Sequence, residues 1–273
     1  MFKLVFMLGA HIKLKHMNNW RLIKNLELRG AKQMAIDESM LIARSKNLAP
    51  NTLRFFTWKP SAITVGFFQD LKQEINEKKA EELGVEIVRR YTGGGAVFHE
   101  DELTYSLVIK EKDLPSSIEE SYKHLCHGVV LGLEKLGLKA SFKPINDILV
   151  NDKKISGNGQ TRKYGVILQH GTILLSVDVE KMFSILKVSN EKLKGKLIKN
   201  VKERVTSLKN ELPQRFTDIN YLQEIFSQGF SKALNANFKT SDLIKEEKEM
   251  IDELYLNKYL TKDWNYQQKY EKN

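Results

Sequence analysis

Three features of the sequence predict an α+β fold. Short runs rich in β-branched and aromatic residues recur up to residue 176 and are typical of strands. Amphipathic segments with helical spacing lie between these runs, and the chain beyond Asp178 is mostly helical in pattern. At 273 residues the chain is long enough for one large domain or for a domain with a small appendage.

The first part of the chain is predicted to contain two helices and five strands. Apolar residues at helical spacing predict a buried helix, and Gly84 ends a second, charged helix. Lys59 and Pro60 separate two strand-like runs, which indicates a hairpin. The predicted helices span residues 31–47 and 74–83, and the predicted strands span residues 52–58, 62–68, 85–90, 96–98 and 103–110.

The rest of the chain is predicted to contain four further strands and several helices. Ser116 or Ser117 caps a long helix that has one apolar face and ends at Gly137. Thr217 is a predicted cap farther along the chain, and a last amphipathic helix is expected around residues 243–256. The predicted strands span residues 140–142, 147–150, 154–156 and 166–176.

The composition is typical of an intracellular globular protein. Apolar residues make up 41% of the chain, and five prolines without a low-complexity tract leave little room for a disordered linker. The single cysteine excludes an intramolecular disulfide and a thiolate-cluster metal site, so a reducing cytoplasm is predicted. The apolar run within residues 4–10 is far shorter than the ~18 residues that span a bilayer, so no membrane role is predicted. Residues 1–16 are expected to lie outside the fold, which would begin at Met17.

The formal charge of +10 favours negatively charged partners or ligands. The densest basic stretch, residues 187–204, has no interleaved aromatic residues and also contains Glu191 and Glu203. It therefore fits a solvated helical face better than a base-stacking surface, and no nucleic-acid binding is predicted. An acidic protein partner would use the same charge.

The most informative stretch is residues 89–99, which read RRYTGGGAVFH. Two arginines lead into three glycines, whose lack of Cβ atoms lets backbone N–H groups approach an anion closely. The arginines add fixed charge and forked hydrogen-bond donors. This pattern predicts a phosphate-binding loop, although three glycines between two strands would also suit a plain hairpin turn.

Three more motifs follow in order: NDILV at residues 146–150, KKISGNGQ at 153–160 and QHGT at 169–172. Together with the glycine loop they resemble the catalytic domain of the lipoate–protein ligases, a family joined to octanoyltransferases and biotin–protein ligases. The resemblance covers roughly residues 18–264. It implies mixed β-sheets flanked by helices, in the arrangement of the biotin and lipoate ligases.

The resemblance implies an ATP-dependent lipoate–protein ligase. Such an enzyme activates lipoate as lipoyl-AMP and transfers it to a lysine of a carrier domain, such as an E2 subunit or the glycine cleavage H protein. Two alternatives are an octanoyl or lipoyl transferase that works without adenylation, and a non-catalytic carrier-binding scaffold. The long ligases carry a further C-terminal domain. We therefore expect the catalytic domain to span residues 17–264, a polar tail to span 265–273, and a separate small accessory subunit to supply the missing part.

The resemblance also assigns the site residues. Lys154, which precedes Ile-Ser-Gly, is the expected catalytic lysine, although by pattern alone it is an ordinary exposed turn residue. Asp147 is the expected Mg²⁺ ligand, and Asn146 would hold the nucleotide or orient that carboxylate; an Asx turn is the structural alternative. His170 is expected either to line the acyl pocket or to be a hydrogen-bonded structural residue. The residues expected to bind ATP and lipoate are Arg90, Gly94, Gly95, Ala96, Val97, Phe98, His99, Asn146, Asp147, Lys154, Ser156, Gly157, His170, Gly171 and Thr172.

Two further expectations concern the acyl group. Octanoyltransferases of this superfamily use a cysteine nucleophile, but Cys126 lies on the apolar face of a predicted helix and is expected to be a core residue. Residues 139–145, where the cysteine of those transferases would lie, contain none. The acyl tail needs an apolar tunnel, for which the candidates are Phe67, Phe68, Tyr91 and Val97.

Overall fold

The computed structural model describes residues 18–188, 190–213 and 218–267. It confirms the α+β prediction, because mixed β-sheets are flanked by helices. The strands are β1 (Asn18–Leu28), β2 (Thr52–Trp58), β3 (Ala62–Val65), β4 (Glu86–Arg89), β5 (Val97–His99), β6 (Glu102–Lys110), β7 (Ala140–Lys143), β8 (Asp147–Val150), β9 (Lys153–Lys163), β10 (Val166–Leu174) and β11 (Ala236–Thr240).

Helices surround the sheets, and the later part of the chain is mostly helical. Ser117 caps the long helix by accepting a hydrogen bond from the backbone N–H of Glu120, and Gly137 follows it with a φ of +89°. The helices are α1 (Gly30–Ser45), α2 (Leu71–Glu74), α3 (Glu77–Glu82), α4 (Ile118–Lys135), α5 (Val179–Ile185), α6 (Glu191–Arg204), α7 (Leu208–Glu211), α8 (Ile219–Leu234), α9 (Lys245–Leu254) and α10 (Lys262–Gln267).

The larger sheet has eight strands in the order β11-β1-β2-β6-β10-β9-β8-β7. Its central strands β6, β10 and β9 are antiparallel neighbours, and His170 on β10 lies opposite Gly159 on β9. Strands β8 and β9 form the hairpin that carries the second and third motifs. The larger sheet therefore brings the NDILV, KKISGNGQ and QHGT motifs side by side.

The smaller sheet has the order β4-β3-β5 and changes two expectations. The predicted hairpin of β2 and β3 does not form, because β2 pairs with β1 and β6 in the larger sheet. The three glycines are not a hairpin turn either, since β4 and β5 flank β3 on opposite sides. The glycine loop therefore crosses over the end of β3, which leaves it free to serve a site.

Several element boundaries differ from the predictions. The helix predicted over residues 74–83 is divided at Ile75, which bridges to Leu186, and Asn76 caps the second piece. Strands β1 and β11 were not predicted, and they pair in parallel at the sheet edge. The predicted cap Thr217 lies outside the described residues, and Asp218 caps α8 instead.

The predicted ends of the domain are only partly described. Residues 1–17 and 268–273 lie outside the described residues. Helix α10 continues past the predicted boundary at Trp264, and Asn265 is buried. No helix in residues 18–188, 190–213 or 218–267 is long and apolar enough to cross a membrane.

Candidate active site

A cavity of about 360 Å³ lies where the four motifs meet. The glycine loop, β9, β10 and the turn before β8 contribute most of its polar wall. All the predicted site residues line it except Asp147 and Ser156. Those that line it are Arg90, Gly94, Gly95, Ala96, Val97, Phe98, His99, Asn146, Lys154, Gly157, His170, Gly171 and Thr172.

The two exceptions lie next to the cavity. Oδ1 of Asp147 forms an ion pair with Nζ of Lys154 at 2.7 Å. Ser156 is fully buried on β9, and its hydroxyl accepts a hydrogen bond from the side-chain amide of Asn158. Asp147 therefore acts on the cavity through Lys154, whereas Ser156 belongs to the packing behind the wall.

Lys154 is the half-exposed cation of the cavity wall. Strand β9 places it, and its backbone carbonyl accepts a hydrogen bond from the N–H of Thr206 at 2.8 Å. A ligand carbonyl or carboxylate in the cavity would meet an ammonium group whose position is set by Asp147. Such a fixed charge can stabilise an oxyanion that develops during acyl transfer.

The expected Mg²⁺ site has few suitable donors. Mg²⁺ is usually held through one or two carboxylates together with substrate phosphates. Asp147 is already neutralised by Lys154, and the described part of the chain contains no group of three or more His, Cys, Asp or Glu residues that could hold a metal ion. The role of Asp147 as a Mg²⁺ ligand therefore stays a prediction.

Arg90 is almost fully buried at 5% exposure, and its guanidinium donates only to neutral oxygens among its described contacts. Its Nη2 donates to the carbonyls of Gly93 and Gly95 at 2.8 and 2.7 Å. Burial lowers the pKa of Arg90 to about 10. Its donors are occupied by the loop and by Thr64, so Arg90 shapes the loop where it lines the cavity.

His170 is held between two side chains. Its Nδ1 lies 3.1 Å from the carboxylate of Asp37, and its Nε2 lies 2.7 Å from the hydroxyl of Thr92. Burial lowers the pKa of His170 below its ordinary value, although Asp37 opposes part of that shift. The imidazole is therefore neutral at neutral pH. His170 lines the cavity and is hydrogen-bonded through both ring nitrogens, so its role in acyl binding stays a prediction.

Asn158 is a residue of the cavity wall that sequence reasoning missed. Its side chain donates to the carbonyl of Asn146 at 2.8 Å and accepts from the hydroxyl of Tyr105 at 2.5 Å. A Cβ at Gly171 would overlap its carboxamide, so the glycine of the QHGT motif makes room for it. The sequence could have indicated Asn158, because this residue lies inside the KKISGNGQ motif.

The apolar wall of the cavity also differs from the prediction. Of the four candidates for the acyl tunnel, only Val97 lines the cavity. Phe68 is 81% exposed, and Phe67 and Tyr91 pack against Trp264 elsewhere. The apolar residues that line the cavity in their place are Met34, Trp58, Leu174, Val177, Met182, Val201 and Val205.

Cys126 is a core residue, as predicted. It has no exposed surface and packs within the cluster between α4 and the larger sheet. Burial raises the pKa of its thiol to about 12. A thiol that stays protonated and does not line the cavity is poorly suited to act as the nucleophile of an acyl transfer.

The comparisons place this chain among the enzymes of the lipoate ligase and transferase superfamily. A profile of the lipoyl protein ligase A/B catalytic domain matches residues 29–231, and the chain belongs to this family. Octanoyltransferase LipM of Clostridioides difficile is 36% identical over 270 residues, which cover 91% of this chain and 99% of that protein. Octanoyltransferase LipM of Bacillus subtilis is 32% identical over 272 residues, which cover 90% of this chain and 98% of that protein.

Solved ligase structures share the fold. The bipartite lipoate protein ligase of Thermoplasma acidophilum, described with its E2 lipoyl domain, superposes with a TM-score of 0.84 at 26% identity over 94% of this chain and 99% of that chain. Lipoate-protein ligase A bound with ATP superposes with a TM-score of 0.77 at 25% identity over 92% of this chain and 99% of that chain. The expected arrangement of the lipoate-ligase catalytic domain is therefore confirmed.

The expectation of an ATP-dependent ligase is wrong. The relatives that match this chain at 32% to 36% identity over nearly their whole length are octanoyltransferases. The ligases resemble it at 26% identity or less. The motifs correctly predicted the superfamily, but they did not separate its ligase reaction from its transferase reaction.

Proposed function

We propose that this chain is an octanoyltransferase that moves a medium-chain acyl group onto a lysine of a lipoyl carrier domain. The observation that carries the proposal is the match, over about nine tenths of the chain, to octanoyltransferases at 32% to 36% identity. This was the alternative that the sequence left open, and it now takes the place of the ligase.

The cavity supports a medium-chain acyl substrate. Its volume of about 360 Å³ is near the small end of the roughly 300 to 1,000 Å³ that ligand pockets occupy. Apolar side chains such as Trp58, Leu174 and Met182 suit an acyl tail, and Lys154 supplies a charge for its carbonyl end.

The proposed reaction is a transfer from a thioester donor to an amine. The lysine nitrogen of the acceptor bonds to the acyl carbon, the carbon–sulfur bond breaks, and the proton of the amine ends on the released thiol. Lys154 stabilises the negative charge that develops on the acyl oxygen, and Asp147 holds Lys154 in place. No ATP or Mg²⁺ enters this reaction, so the roles expected for them are not part of the proposal.

The transfer is direct, without an acyl-cysteine intermediate. The chain has one cysteine, and Cys126 is buried in the core and does not line the cavity. The donor and acceptor carriers must therefore be bound together when the acyl group moves. We expect Cys126→Ala to retain transfer activity, and intact-mass spectrometry to find no acyl group on the wild-type chain after incubation with donor alone.

The acceptor is proposed to be a lipoyl domain of an E2 subunit or a glycine cleavage H protein. The ligase of Thermoplasma acidophilum, which shares the fold, is described with its E2 lipoyl domain. The accessory subunit was expected to complete an adenylation site, and the proposed transfer does not call for it. The cytoplasmic location predicted from the cysteine content stays a prediction.

The test supplies the purified chain with an apo lipoyl domain and one of two acyl sources. We expect an octanoyl mass increase on the lipoyl domain with an octanoyl thioester carrier as donor, and none with octanoate, ATP and Mg²⁺. A lipoyl domain acylated only in the ATP reaction, with release of pyrophosphate, would overturn the proposal. An acyl adduct on Cys126 would overturn the direct-transfer step alone.

A further inference from the structure

The buried cation of the glycine loop is held from two sides by matching chains of hydrogen bonds. Arg90 has five N–H donors, and all five have acceptors: two backbone carbonyls of the loop, the carbonyl of Thr64, and the hydroxyls of Thr64 and Thr92. Each of these hydroxyls continues into an imidazole, and each imidazole continues into a buried carboxylate. We propose that Thr64 and Thr92 are positioning residues that join two carboxylate–histidine relays to Arg90 and thereby fix the glycine loop for acyl transfer.

The first relay runs from α1 to the loop. The carboxylate of Asp37 lies 3.1 Å from Nδ1 of His170, and Nε2 of His170 lies 2.7 Å from Oγ1 of Thr92. Nε of Arg90 donates to the same hydroxyl at 3.1 Å. At the end of the relay away from Arg90, Arg54 forms an ion pair with the other carboxylate oxygen of Asp37 at 2.8 Å.

The second relay reaches Arg90 from the smaller sheet. The carboxylate of Glu102 lies 2.8 Å from Nδ1 of His99, and Nε2 of His99 lies 2.9 Å from Oγ1 of Thr64. Nη1 of Arg90 donates to this hydroxyl at 3.1 Å. Glu102 is held in turn by the indole N–H of Trp58 at 2.9 Å.

The direction of the hydrogen bonds follows from what each group can do. An ionised carboxylate only accepts, so Nδ1 of each histidine must carry a proton. In a neutral imidazole Nε2 is then an acceptor, and the threonine hydroxyl donates its single proton to it. The lone pairs of that hydroxyl therefore face Arg90, which can only donate. Each relay thus fixes one threonine in the orientation that Arg90 needs.

A methyl group cannot replace the hydroxyl in this role. Without Thr92 Oγ1, both Nε of Arg90 and Nε2 of His170 lose a buried partner, which costs more than one ordinary hydrogen bond. Arg90 would then shift, and with it the carbonyls of Gly93 and Gly95 that its Nη2 holds. Because peptide units are planar and trans, the N–H groups of Gly94 and Ala96 point away from those carbonyls, so a shift of Arg90 also reorients these donors.

The proposal rests on the proposed transferase activity for its kinetic test, but its spectroscopic test does not. Two-bond ¹H–¹⁵N correlation spectra of the ¹⁵N-labelled chain report the protonated nitrogen of each of its six histidines. We expect His99 and His170, assigned with His99→Gln and His170→Gln, to carry the proton on Nδ1 at neutral pH. Thr92→Val should change the spectrum of His170 and leave that of His99 unaltered. Protonated Nε2 on both histidines in the wild-type chain would overturn the relays whatever reaction the enzyme catalyses.

The kinetic arm compares Thr92→Val, Thr92→Ser and the matched control Thr240→Val, whose side chain is exposed on β11. We expect Thr92→Val to lower kcat roughly 10- to 100-fold, as a small misplacement of a site does, and Thr92→Ser to restore it to within about threefold. Thr64→Val with Thr64→Ser repeats the test on the second relay if Thr92→Val does not fold. Equal kcat for the valine and serine variants, in a chain whose wild type transfers octanoyl groups, would overturn the positioning role without affecting the proposed function.

Discussion

At the scale of single residues, the site depends on which of two neighbouring lysines faces the cavity. Lys154 lines the cavity and pairs with Asp147 at 2.7 Å, whereas Lys153 is exposed at the start of β9. A pattern of two lysines in a turn does not distinguish them, but strand β9 alternates their directions.

We expect Lys154→Ala to lower octanoyl transfer by about 10²-fold or more, because a charge that meets the developing oxyanion is lost. Lys153→Ala is the matched control and should stay within about threefold of the wild type. Initial rates of lipoyl-domain acylation, with melting temperatures for both variants, provide the measurement. Equal rates in the two folded variants would show that the role of Lys154 is wrong.

His170 makes stability depend on pH. Burial lowers its pKa below the unfolded value, so between the two values the unfolded chain binds more protons than the folded chain. Its contribution is therefore complete above the unfolded pKa of about 6.5 and is progressively lost as pH falls below that value. Asp37 does not act in the same window, because its pKa is lowered from an already acidic value: burial alone would raise it, but the hydrogen bond from His170 and the charge of Arg54 outweigh burial.

We expect the free energy of unfolding of the wild type to fall more steeply between about pH 7 and about pH 5 than that of His170→Gln, which cannot titrate there. Urea unfolding at several pH values measures both slopes. His127→Gln serves as a control, since its imidazole is exposed on α4. Parallel slopes for the wild type and His170→Gln would contradict the assignment of a neutral buried imidazole.

At the scale of elements, the crossing of α4 and α8 requires glycine at three positions. A Cβ at Gly128 would overlap the ring of Phe230, and one at Gly132 would overlap the ring of Phe226. Gly229 on α8 faces the backbone of α4 just as closely. The two phenylalanines belong to the core beneath the larger sheet, so this crossing ties the helices to the strands that carry the site.

Gly128→Ala should therefore lower the free energy of unfolding by about 1–3 kcal/mol, because the added methyl overpacks the crossing. Gly195→Ala is an informative control, since a Cβ at Gly195 in α6 would meet nothing within 4 Å. That control should raise helix stability by roughly 0.8–1.0 kcal/mol, the usual difference in propensity between glycine and alanine. Chemical denaturation of both variants tests the contrast, and destabilisation of similar size in both would be the wrong outcome.

At the scale of elements, the sequence was sufficient to predict most of the polar wall of the cavity. Contiguous motifs identified most of the polar wall, because the glycine loop and the β8–β9 hairpin each deliver neighbouring residues to one place. Most of the apolar wall was not predicted, since Met34, Trp58, Met182 and Val201 come from four separate elements whose packing no local pattern reports. Asp37 was not predicted as a partner of the site, because His170, which it contacts, is 133 positions away.

The pairing between strands was also not predicted from the sequence. Periodicity correctly indicated β2 and β3 as strands, but it could not say that they belong to different sheets. Strand β11 has a polar sequence, with only Ala236 buried, so it lacks the alternation that predicts a strand. Strand β11 directly follows α8 in the chain, and its pairing with β1 joins residues more than 200 positions apart, which no local pattern predicts.

At the scale of the whole molecule, part of the positive charge lies close to the site. Helix α6 carries the densest basic stretch, yet its Val201 lines the cavity, and Val205 directly after it does so as well. The basic side chains of this helix are therefore close to the cavity that a carrier would approach under the proposed function. Lys196 and Lys199 are exposed on this helix.

Charge reversal separates steering at the site from the effect of net charge. Lys196→Glu with Lys199→Glu should raise the KM for an acidic carrier several-fold and weaken its dependence on salt, while kcat stays near the wild-type value, because rim charges act mainly on encounter. Lys232→Glu with Lys239→Glu makes the same change in net charge beside β11, at the edge of the larger sheet remote from β9, and should leave KM unchanged. Initial rates over a range of carrier and salt concentrations give both parameters. Equal increases in KM for the two double variants would mean that overall charge, rather than the outer face of α6, attracts the carrier.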